Sequence, residues 1–309
     1  MSAVAEILSV VLALIAACSN AASNVIQRAT NREESDVQTL SLQLVRDLLH
    51  RPLWFAGLGA VVLSFLLQAS ALHFGPLARV EPLLVFELPL TFVGAAMFLG
   101  ARLGAREWTA ALVMTVGLAA LVFFLHTSGH HGHVSAAVWA VGLGICEGIV
   151  TVLVIAGRRT TGDPRAALYG AATGIQFGVT AALMAGAVHL LGGGIGSLFS
   201  AWQTYVMVVS GVFALFLVQN ALQSGKIVAA QPGITLLDPF VAIVWGVFAF
   251  HEKATNNTVY LIIAALGGVA MVAGAILLSR SPVLQHGGDR SGSSSDEGWI
   301  VKHEEALSG

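Results

Sequence analysis

Two hydrophobic stretches of the chain carry the same landmark residues at a constant spacing of 150 positions. The repeated residues are Leu72 with Leu222, Gly75 with Gly225, Pro82 with Pro232, Pro89 with Pro239, Gly117 with Gly267, and Ala120 with Ala270. Duplicated membrane halves are a common plan of secondary transporters, in which the substrate site lies near mid-bilayer where the repeats meet. The repeat therefore predicts a carrier of small solutes.

Composition indicates a membrane protein independently of the repeat. Apolar residues make up 56% of the 309 positions, charged residues make up only 10%, and the mean hydropathy is +0.81. These values exceed what the core of a soluble protein requires. The chain therefore leaves no room for a soluble domain.

The hydrophobic segments have the length of membrane spans. A helix needs about 20 mostly apolar residues to cross a hydrocarbon core that is about 30 Å thick. Nine segments meet that requirement, at about 3–27, 52–74, 77–100, 106–125, 134–157, 166–191, 201–223, 227–250 and 257–279. We predict an all-α polytopic membrane protein with about nine transmembrane helices.

Segment 37–50 is amphipathic and too short to span. One helical face carries Val37, Leu40, Leu44, Val45 and Leu48, whereas Gln43, Arg46 and Asp47 lie elsewhere. Pro52 then interrupts the pattern. This distribution is typical of a helix that lies in the membrane interface. A shortened or re-entrant tenth span is the alternative.

The basic residues predict the orientation, because Lys and Arg accumulate in cytoplasmic loops. With nine spans and an outside N-terminus, 13 of the 15 basic residues fall inside, and only Arg79 and Lys253 remain outside. Ten spans would instead place Arg28 and Arg32 outside. Spans two to four and seven to nine are then inverted relative to each other, which is suited to alternating access. The excess of Arg over Lys indicates a bacterial cytoplasmic membrane.

The chain divides into two repeat units and a tail. We predict a first unit over 1–125, a second over 134–279, and a disordered cytoplasmic tail over 280–309, which is rich in Gly, Ser and charge. The loop between the units, 126–133, reads HTSGHHGH. It is interpreted as a solvated loop, and metal binding or pH sensing by its histidines is the alternative.

Three acidic residues are expected at membrane depth. Glu87, Glu147 and Asp238 lie about ten or more residues into their predicted spans, which is roughly 15–20 Å from the helix ends. An ionised side chain facing lipid there costs about 2.5–3.5 kcal/mol, so they should face the bundle interior. We predict that they form or flank a polar cavity that couples cargo to protons or cations. Structural carboxyls that are hydrogen-bonded between helices are the alternative.

Polar amides in the spans are further candidates for cavity lining or for hydrogen bonds between helices. They are Asn20 and Asn24 in span one, Gln68 in span two, and Gln219 and Asn220 in span seven. Small residues recur every fourth position at Gly170, Gly174, Gly178, Ala182 and Gly186, and at Ala136, Ala140, Gly144 and Gly148. Such stripes predict close helix packing, and a homodimer face is the lesser alternative.

The sequence resembles the drug/metabolite transporter superfamily with its EamA-type repeats. The resemblance rests on QASALHFGPLARVEPLLVFELP at 68–89, GARLGAREW at 100–108, 219–239, and HEK at 251–253. It implies two inverted units in which a proline-bearing helix is followed by a charged turn and a glycine-rich helix. It also implies transport of metabolites or drug-like compounds, expected as export that is coupled to protons.

Two departures from that family pattern keep a second function open. The family's ten spans are reduced to nine, and the acidic residue of the turn after the fourth family helix is Arg102, whereas Glu252 keeps it in the second unit. Nine-span relatives include the NIPA-like magnesium transporters, so a divalent-cation permease is the alternative.

Other classes of function lack their sequence signals. The chain has no phosphate-binding loop, zinc-finger spacing or nucleophile elbow. The two cysteines, Cys18 and Cys146, lie within predicted spans and offer no disulfide framework. We therefore expect no enzymatic activity, no cofactor, no resident metal and no nucleic-acid partner. The expected partners are the lipid bilayer and a small-molecule or ion substrate.

Overall fold

The computed structural model describes residues 3–32, 52–99, 104–125, 134–225, 227–253 and 255–279. The predicted interfacial segment 37–50, the histidine-rich loop 126–133 and the tail 280–309 lie outside them. The helices are α1 (Ala3–Arg32), α2 (Pro52–Phe74), α3 (Leu77–Leu84), α4 (Glu87–Leu99), α5 (Ala105–Leu125), α6 (Ala136–Arg158), α7 (Asp163–His189), α8 (Ile195–Ser200), α9 (Trp202–Ser224), α10 (Ile227–Val244) and α11 (Thr258–Ser279). A 3₁₀ turn at Leu190–Gly193 follows α7, and a π-helix at Trp245–Ala249 follows α10.

Among the described residues, eight helices are long and apolar enough to cross a membrane, which confirms the all-α polytopic class. They contain the predicted spans one, two and four to nine. The third predicted span, 77–100, differs because the structure divides it into α3 and α4. Its sequence is as apolar as expected, and its proline residues permit the break between the two helices.

α7 is the central helix of the bundle. Its membrane window is 78% buried, whereas that of α6 is 11% buried, so α6 lies at the periphery. The glycine stripe of α7 explains its position, since Gly174 lies against the backbone of Gly233 and a Cβ atom at Gly178 would be 2.7 Å from the Asp238 carbonyl oxygen. Only hydrogen at these positions allows α10 to approach so closely. The packing role predicted for the stripe is confirmed.

α5 and α11 cross at Gly117 and Gly267, a pair of the 150-residue repeat. A Cβ atom at Gly117 would lie 2.5 Å from the Met271 nitrogen, and one at Gly267 would lie 2.7 Å from the Leu121 nitrogen. Residues 121 and 271 are themselves repeat mates, so the contact is reciprocal, as a local two-fold axis requires.

The directions of α5 and α11 are opposite. Thr255, just before α11, donates its backbone N–H to the carbonyl of Leu125 at the end of α5. Near the other end of the pair, Gly274 of α11 lies against Met114 and Ala110 of α5. Repeat mates that cross in an antiparallel manner are what an inverted pair of units produces.

α1 packs along α2 through hydroxyl groups. Ser19 and Ser23 of α1 donate to the carbonyls of Ala60 and Gly57, at 2.9 and 3.0 Å, and Ser64 of α2 donates to Ala16 at 2.9 Å. The serine hydroxyls of span one therefore hold α1 and α2 together. Asn20, on the same helix, makes a different contact.

Candidate functional site

The break in the third span lies at Val85 and Phe86, between α3 and α4. Proline has no N–H, so Pro89 cannot donate to the Val85 carbonyl four residues earlier. Leu88 donates to this carbonyl instead, at 3.1 Å, and Val85 and Phe86 donate to Pro82 and Leu83 at 3.2 and 3.1 Å. These tight i to i−3 bonds satisfy the backbone while turning the chain between the two helices. The first acidic residue after the turn is Glu87.

Two amide side chains hold two carboxylates at this break. Asn20 of α1 donates from Nδ2 to Glu87 Oε2 at 2.7 Å. Gln68 of α2 donates from Nε2 to Glu81 Oε1 of α3 at 2.8 Å. Both pairs bring residues of different helices together inside the bundle, and Glu81 is only 3% exposed. A hydrogen bond to an ionised group is shorter and stronger than one between neutral groups, which suits these distances.

Asp238 brings a third carboxylate to the same place from the second repeat. It lies midway along the run from α10 to the π-helix, close enough to Glu81 and Glu87 for electrostatic repulsion. Its Oδ1 atom is buried and has no hydrogen-bond partner among the described residues. We call Glu81, Glu87 and Asp238 the carboxylate cluster.

The carboxylate cluster is not arranged as a metal-ligand set. Within the described ranges, no group of three or more His, Cys, Asp or Glu residues could hold a metal ion.

Glu147, the third predicted acid, lies elsewhere. Its Oε1 accepts a hydrogen bond from Gln176 Nε2 of α7 at 3.0 Å, and the same nitrogen donates to Ser210 of α9 at 2.7 Å. The electrostatic partners of Asp238 are Glu81 and Glu87. The structure therefore separates Glu147 from the site in which the sequence analysis placed it. The cause is that α6 packs on the outer side of α7, whereas α10 packs on another side.

The remaining predicted amides are placed differently. Asn24 is half-buried, one turn beyond Asn20 on α1. Gln219 is exposed, and Asn220 donates back to the Phe216 carbonyl of its own helix at 2.7 Å. α9 presents Ser210, Ala214, Leu217 and Ala221 to the bundle, so its last turns direct Gln219 away from the interior. Neither Gln219 nor Asn220 belongs to the carboxylate cluster.

The sequence analysis did not include Glu81 among the candidates. On a continuous helix, residues 81 and 87 lie on different faces because they are six positions apart. The break between α3 and α4 changes that relation. The sequence does contain a signal for this break, because Pro89 predicts an interruption of the helix about one turn earlier, at Val85.

Glu252 connects the second repeat to the broken helix of the first. It follows the π-helix and is 3% exposed. Oε1 accepts the Leu77 N–H at 2.6 Å, and Oε2 accepts the Ala78 N–H at 2.9 Å. Both N–H groups belong to the first turn of α3 and have no acceptor within the helix itself. A negative charge at this end also interacts favourably with the helix dipole. The carboxylate of Glu252 therefore caps the short helix that carries Glu81.

A separate cavity of about 340 Å³ lies between α2, α7 and α9. Its lining is almost wholly apolar and includes Phe65, Phe74, Met184, Val188, Leu191 and Met207. None of the predicted site residues lines it. This cavity is therefore separate from the carboxylate cluster.

Comparison with known proteins finds a similar chain but no matching family. No protein-family model matches the chain, and no solved structure matches it. The chain is similar to an uncharacterized protein of Corynebacterium glutamicum, with 26% identity over 287 residues, which covers 92% of this chain and 99% of the relative.

Proposed function

We propose that this protein is a secondary transporter of small solutes that works by alternating access and is coupled to protons. The observation that carries the proposal is the meeting of Asp238, from the second repeat, with Glu81 and Glu87, from the first. A carboxylate within a membrane bundle is costly and marks ion or substrate pathways in transporters. Three of them at the interface of two repeats lie where a carrier binds its cargo.

Electrostatics supports the coupling of solute transport to protons. Three negative charges in a low-dielectric interior repel each other strongly, so a bound proton or cation among them lowers the energy of the cluster. The Oδ1 atom of Asp238 adds an acceptor for which the described residues supply no donor. A proton or the cationic group of a solute would satisfy it. The same atoms could therefore bind either one in turn, which is the requirement for exchange.

The broken helix supports the conformational part of the proposal. Irregular backbone at membrane depth is tolerated where it lines a cavity, and discontinuous helices form the sites of many transporters. The turn at Val85 and Phe86 directly precedes Glu87. A change in the angle between α3 and α4 would alter the distance between Glu81 and Glu87. Movement of the broken helix would therefore change the affinity of the carboxylate cluster for a proton or a cationic solute.

The finer assignments are part of the same proposal. We propose an EamA-type member of the drug/metabolite transporter superfamily that exports metabolites or drug-like compounds. It would lie in a bacterial cytoplasmic membrane with its N-terminus outside and its C-terminus inside. A homodimer is the alternative to a monomer, and the exposed small residues of α6, including Gly144 and Gly148, offer the face for it.

A divalent-cation permease of the NIPA-like type remains the alternative function. Magnesium prefers oxygen ligands, and carboxylates supply them. However, no group of three or more His, Cys, Asp or Glu residues within the described ranges could hold a metal ion. The proton-coupled carrier is therefore preferred, and the alternative becomes an outcome of the test.

The test is proton flux in liposomes that contain purified protein and an internal pH dye. Amino acids, metabolites, cationic drugs and magnesium salts would be added outside in turn. We expect a flux with at least one organic solute that is lost in Glu87→Gln and in Asp238→Asn. The matched control is Glu6→Gln, the same chemical change in the first turn of α1, roughly 20 Å along the helix from Asn20.

Three outcomes separate the hypotheses. Loss of flux in both cluster variants but not in Glu6→Gln supports the proposal. Wild-type flux in both cluster variants overturns the role of the carboxylate cluster. A silent panel together with uptake of labelled magnesium overturns the organic carrier in favour of the permease.

A further inference from the structure

The cavity between α2, α7 and α9 is large enough to hold a ligand, and we call it the apolar cavity. Its volume of about 340 Å³ falls within the range of small-molecule pockets, which is about 300–1,000 Å³. A buried water molecule needs roughly two to four polar partners, and an almost wholly apolar lining supplies few of them. The lining therefore favours an apolar occupant over water.

The polar groups of the lining do not form a site for a charged group. Of the described residues that line the apolar cavity, two have polar side chains, Ser70 and His73. The Ser70 hydroxyl donates to the Leu66 carbonyl of its own helix at 2.7 Å. The His73 ring packs edge-on against the Phe74 ring, with the two centroids 4.9 Å apart. The lining is therefore suited to hydrocarbon rather than to a particular head group.

The apolar cavity begins at the ends of three helices and stays within one leaflet of the membrane. Phe65 lies nine residues before the end of α2, Met184 lies five before the end of α7, and Met207 lies five after the start of α9. At 1.5 Å per residue these are depths of roughly 8–14 Å, whereas one leaflet of hydrocarbon is about 15 Å thick. The cavity thus runs along the helices, in the direction in which acyl chains lie.

The apolar cavity borders the lipid-facing surface of the bundle. Phe65 and Leu66 of α2 line it and are also 42% and 56% exposed, although they lie within a membrane span. On α9, Val206 and Val208 flank the lining residue Met207 and are exposed as well. Exposed side chains at this depth face lipid. A molecule from the bilayer can therefore enter the cavity sideways without crossing water.

α2 separates the apolar cavity from the carboxylate cluster. Leu66, Ala69 and His73 face the cavity at positions i, i+3 and i+7, which is one side of a helix. Gln68 lies on another side of α2 and donates to Glu81. A solute bound at the carboxylate cluster would therefore not extend into the cavity through α2. This separation favours a membrane lipid over the transported solute as the occupant.

We infer that the apolar cavity binds one acyl chain of a bilayer lipid. The chain lies along α7 between α2 and α9, and its head group stays at the helix ends, at the level of His73. With the N-terminus outside, as proposed above, this is the outer leaflet. The chain supplies van der Waals contacts to α2 of the first predicted unit and to α7 and α9 of the second. A lipid thereby becomes part of the contact between the two units.

The test counts bound lipid by native mass spectrometry of the purified full-length protein with palmitoyl-lysophosphatidylcholine. We expect the wild type to retain one molecule. Ala69→Phe and Ala187→Phe would fill the apolar cavity from opposite walls. Each methylene that a ring excludes weakens binding by about fourfold, so the dissociation constant should rise by about tenfold or more. The matched control is Ala140→Phe at an exposed position of α6, which should leave binding unchanged.

A series of chain lengths tests the same inference on the wild type. Lysophosphatidylcholines with octanoyl to stearoyl chains should bind more tightly as the chain lengthens, and the affinity should level off once the chain is longer than the cavity. Lysophosphatidylglycerol with the same chain should bind equally tightly, because the lining contacts hydrocarbon. A rise that continues without levelling off indicates adsorption to the outer surface of the bundle and overturns the inference.

The remaining outcomes separate lipid from cargo. Size-exclusion profiles and thermal unfolding establish which variants are folded, and the chain-length series decides the matter where neither filling variant is. Unchanged lysolipid binding in both filling variants overturns the inference. If binding of tetraphenylphosphonium is lost in these same variants while the lysolipid stays, the cavity belongs to the cargo. Both variants retain the carboxylate cluster, so lost lipid binding with wild-type solute flux upholds the inference independently of the proposed function.

Discussion

The two proline-bearing elements of the repeats have matching sequences but different backbones. Pro82 and Pro89 lie in a helix that breaks between α3 and α4, whereas α10 continues unbroken past Pro232 and Pro239 and widens into a π-helix only at Trp245. Each proline removes the same donor, so local chemistry alone does not explain the difference. The surroundings of the two helices must explain it.

Packing against α7 provides that explanation. α10 lies along the glycine stripe of α7, with Gly233 and Asp238 in backbone contact with Gly174 and Gly178. Such close contact along several turns holds a proline-containing helix straight. α3 is instead fixed at its first turn by Glu252 and at Glu81 by Gln68. The comparison teaches that a proline permits a break and that the neighbouring helix determines whether it occurs.

The largest effect is expected from removing the close contact of α7 with α10. Gly174→Leu would place a side chain against the Gly233 backbone and should lower the free energy of unfolding by about 3 kcal/mol or more, since backbone cannot yield as a side chain can. Thermal unfolding in detergent measures this loss. The matched control is Gly144→Leu on α6, where nothing lies within 4 Å of an added Cβ. Equal stability of the two variants would contradict the explanation.

The break itself is tested by restoring its missing donor. Pro89→Ala returns an N–H to the Val85 carbonyl and should join α3 to α4, moving Glu81 relative to Glu87. We expect solute flux in liposomes to fall by about tenfold, equivalent to about 1.4 kcal/mol. Pro239→Ala, in the unbroken helix, is the matched control and should change flux much less. A larger loss in Pro239→Ala would show that the second helix is the moving one.

The cap that Glu252 forms on α3 should contribute less to stability than the close contact of α7 with α10. Glu252→Ala leaves the N–H groups of Leu77 and Ala78 without their acceptor and should destabilise the fold by about 1–2 kcal/mol. Hydrogen exchange of these two amides, together with thermal unfolding, measures the effect. Glu252→Gln retains one side-chain acceptor and should lie between alanine and wild type. Unaltered exchange at both amides in Glu252→Ala would show that Glu252 does not stabilise the first turn of α3.

The sequence predicted the parts of this molecule that depend on local pattern. Eight spans and the packing stripe of Gly170, Gly174 and Gly178 follow from apolar length and small-residue spacing, and the structure contains them. Glu87 and Asp238 were predicted at one polar site from their depth in the spans, and the structure places them close enough to interact. Glu147 and Gln219 were misplaced because depth in a span says nothing about which neighbour a helix faces. Glu81 was missed because its position depends on a break that only tertiary contacts fix.

The smallest effect is expected at the amides of α1. Asn20→Ala removes the donor to Glu87 and so disfavours its ionised form, which should move the pH profile of proton flux to higher pH by about half to one unit. Asn24→Ala, one turn away, is the matched control and should leave the profile in place. The sign follows from the bond, since a donor stabilises the carboxylate and not the acid. A shift of equal size in both variants would mean that α1 acts through general polarity. Glu87 of the broken helix would then no longer differ from Asp238 of α10, whose Oδ1 has no hydrogen-bond partner among the described residues.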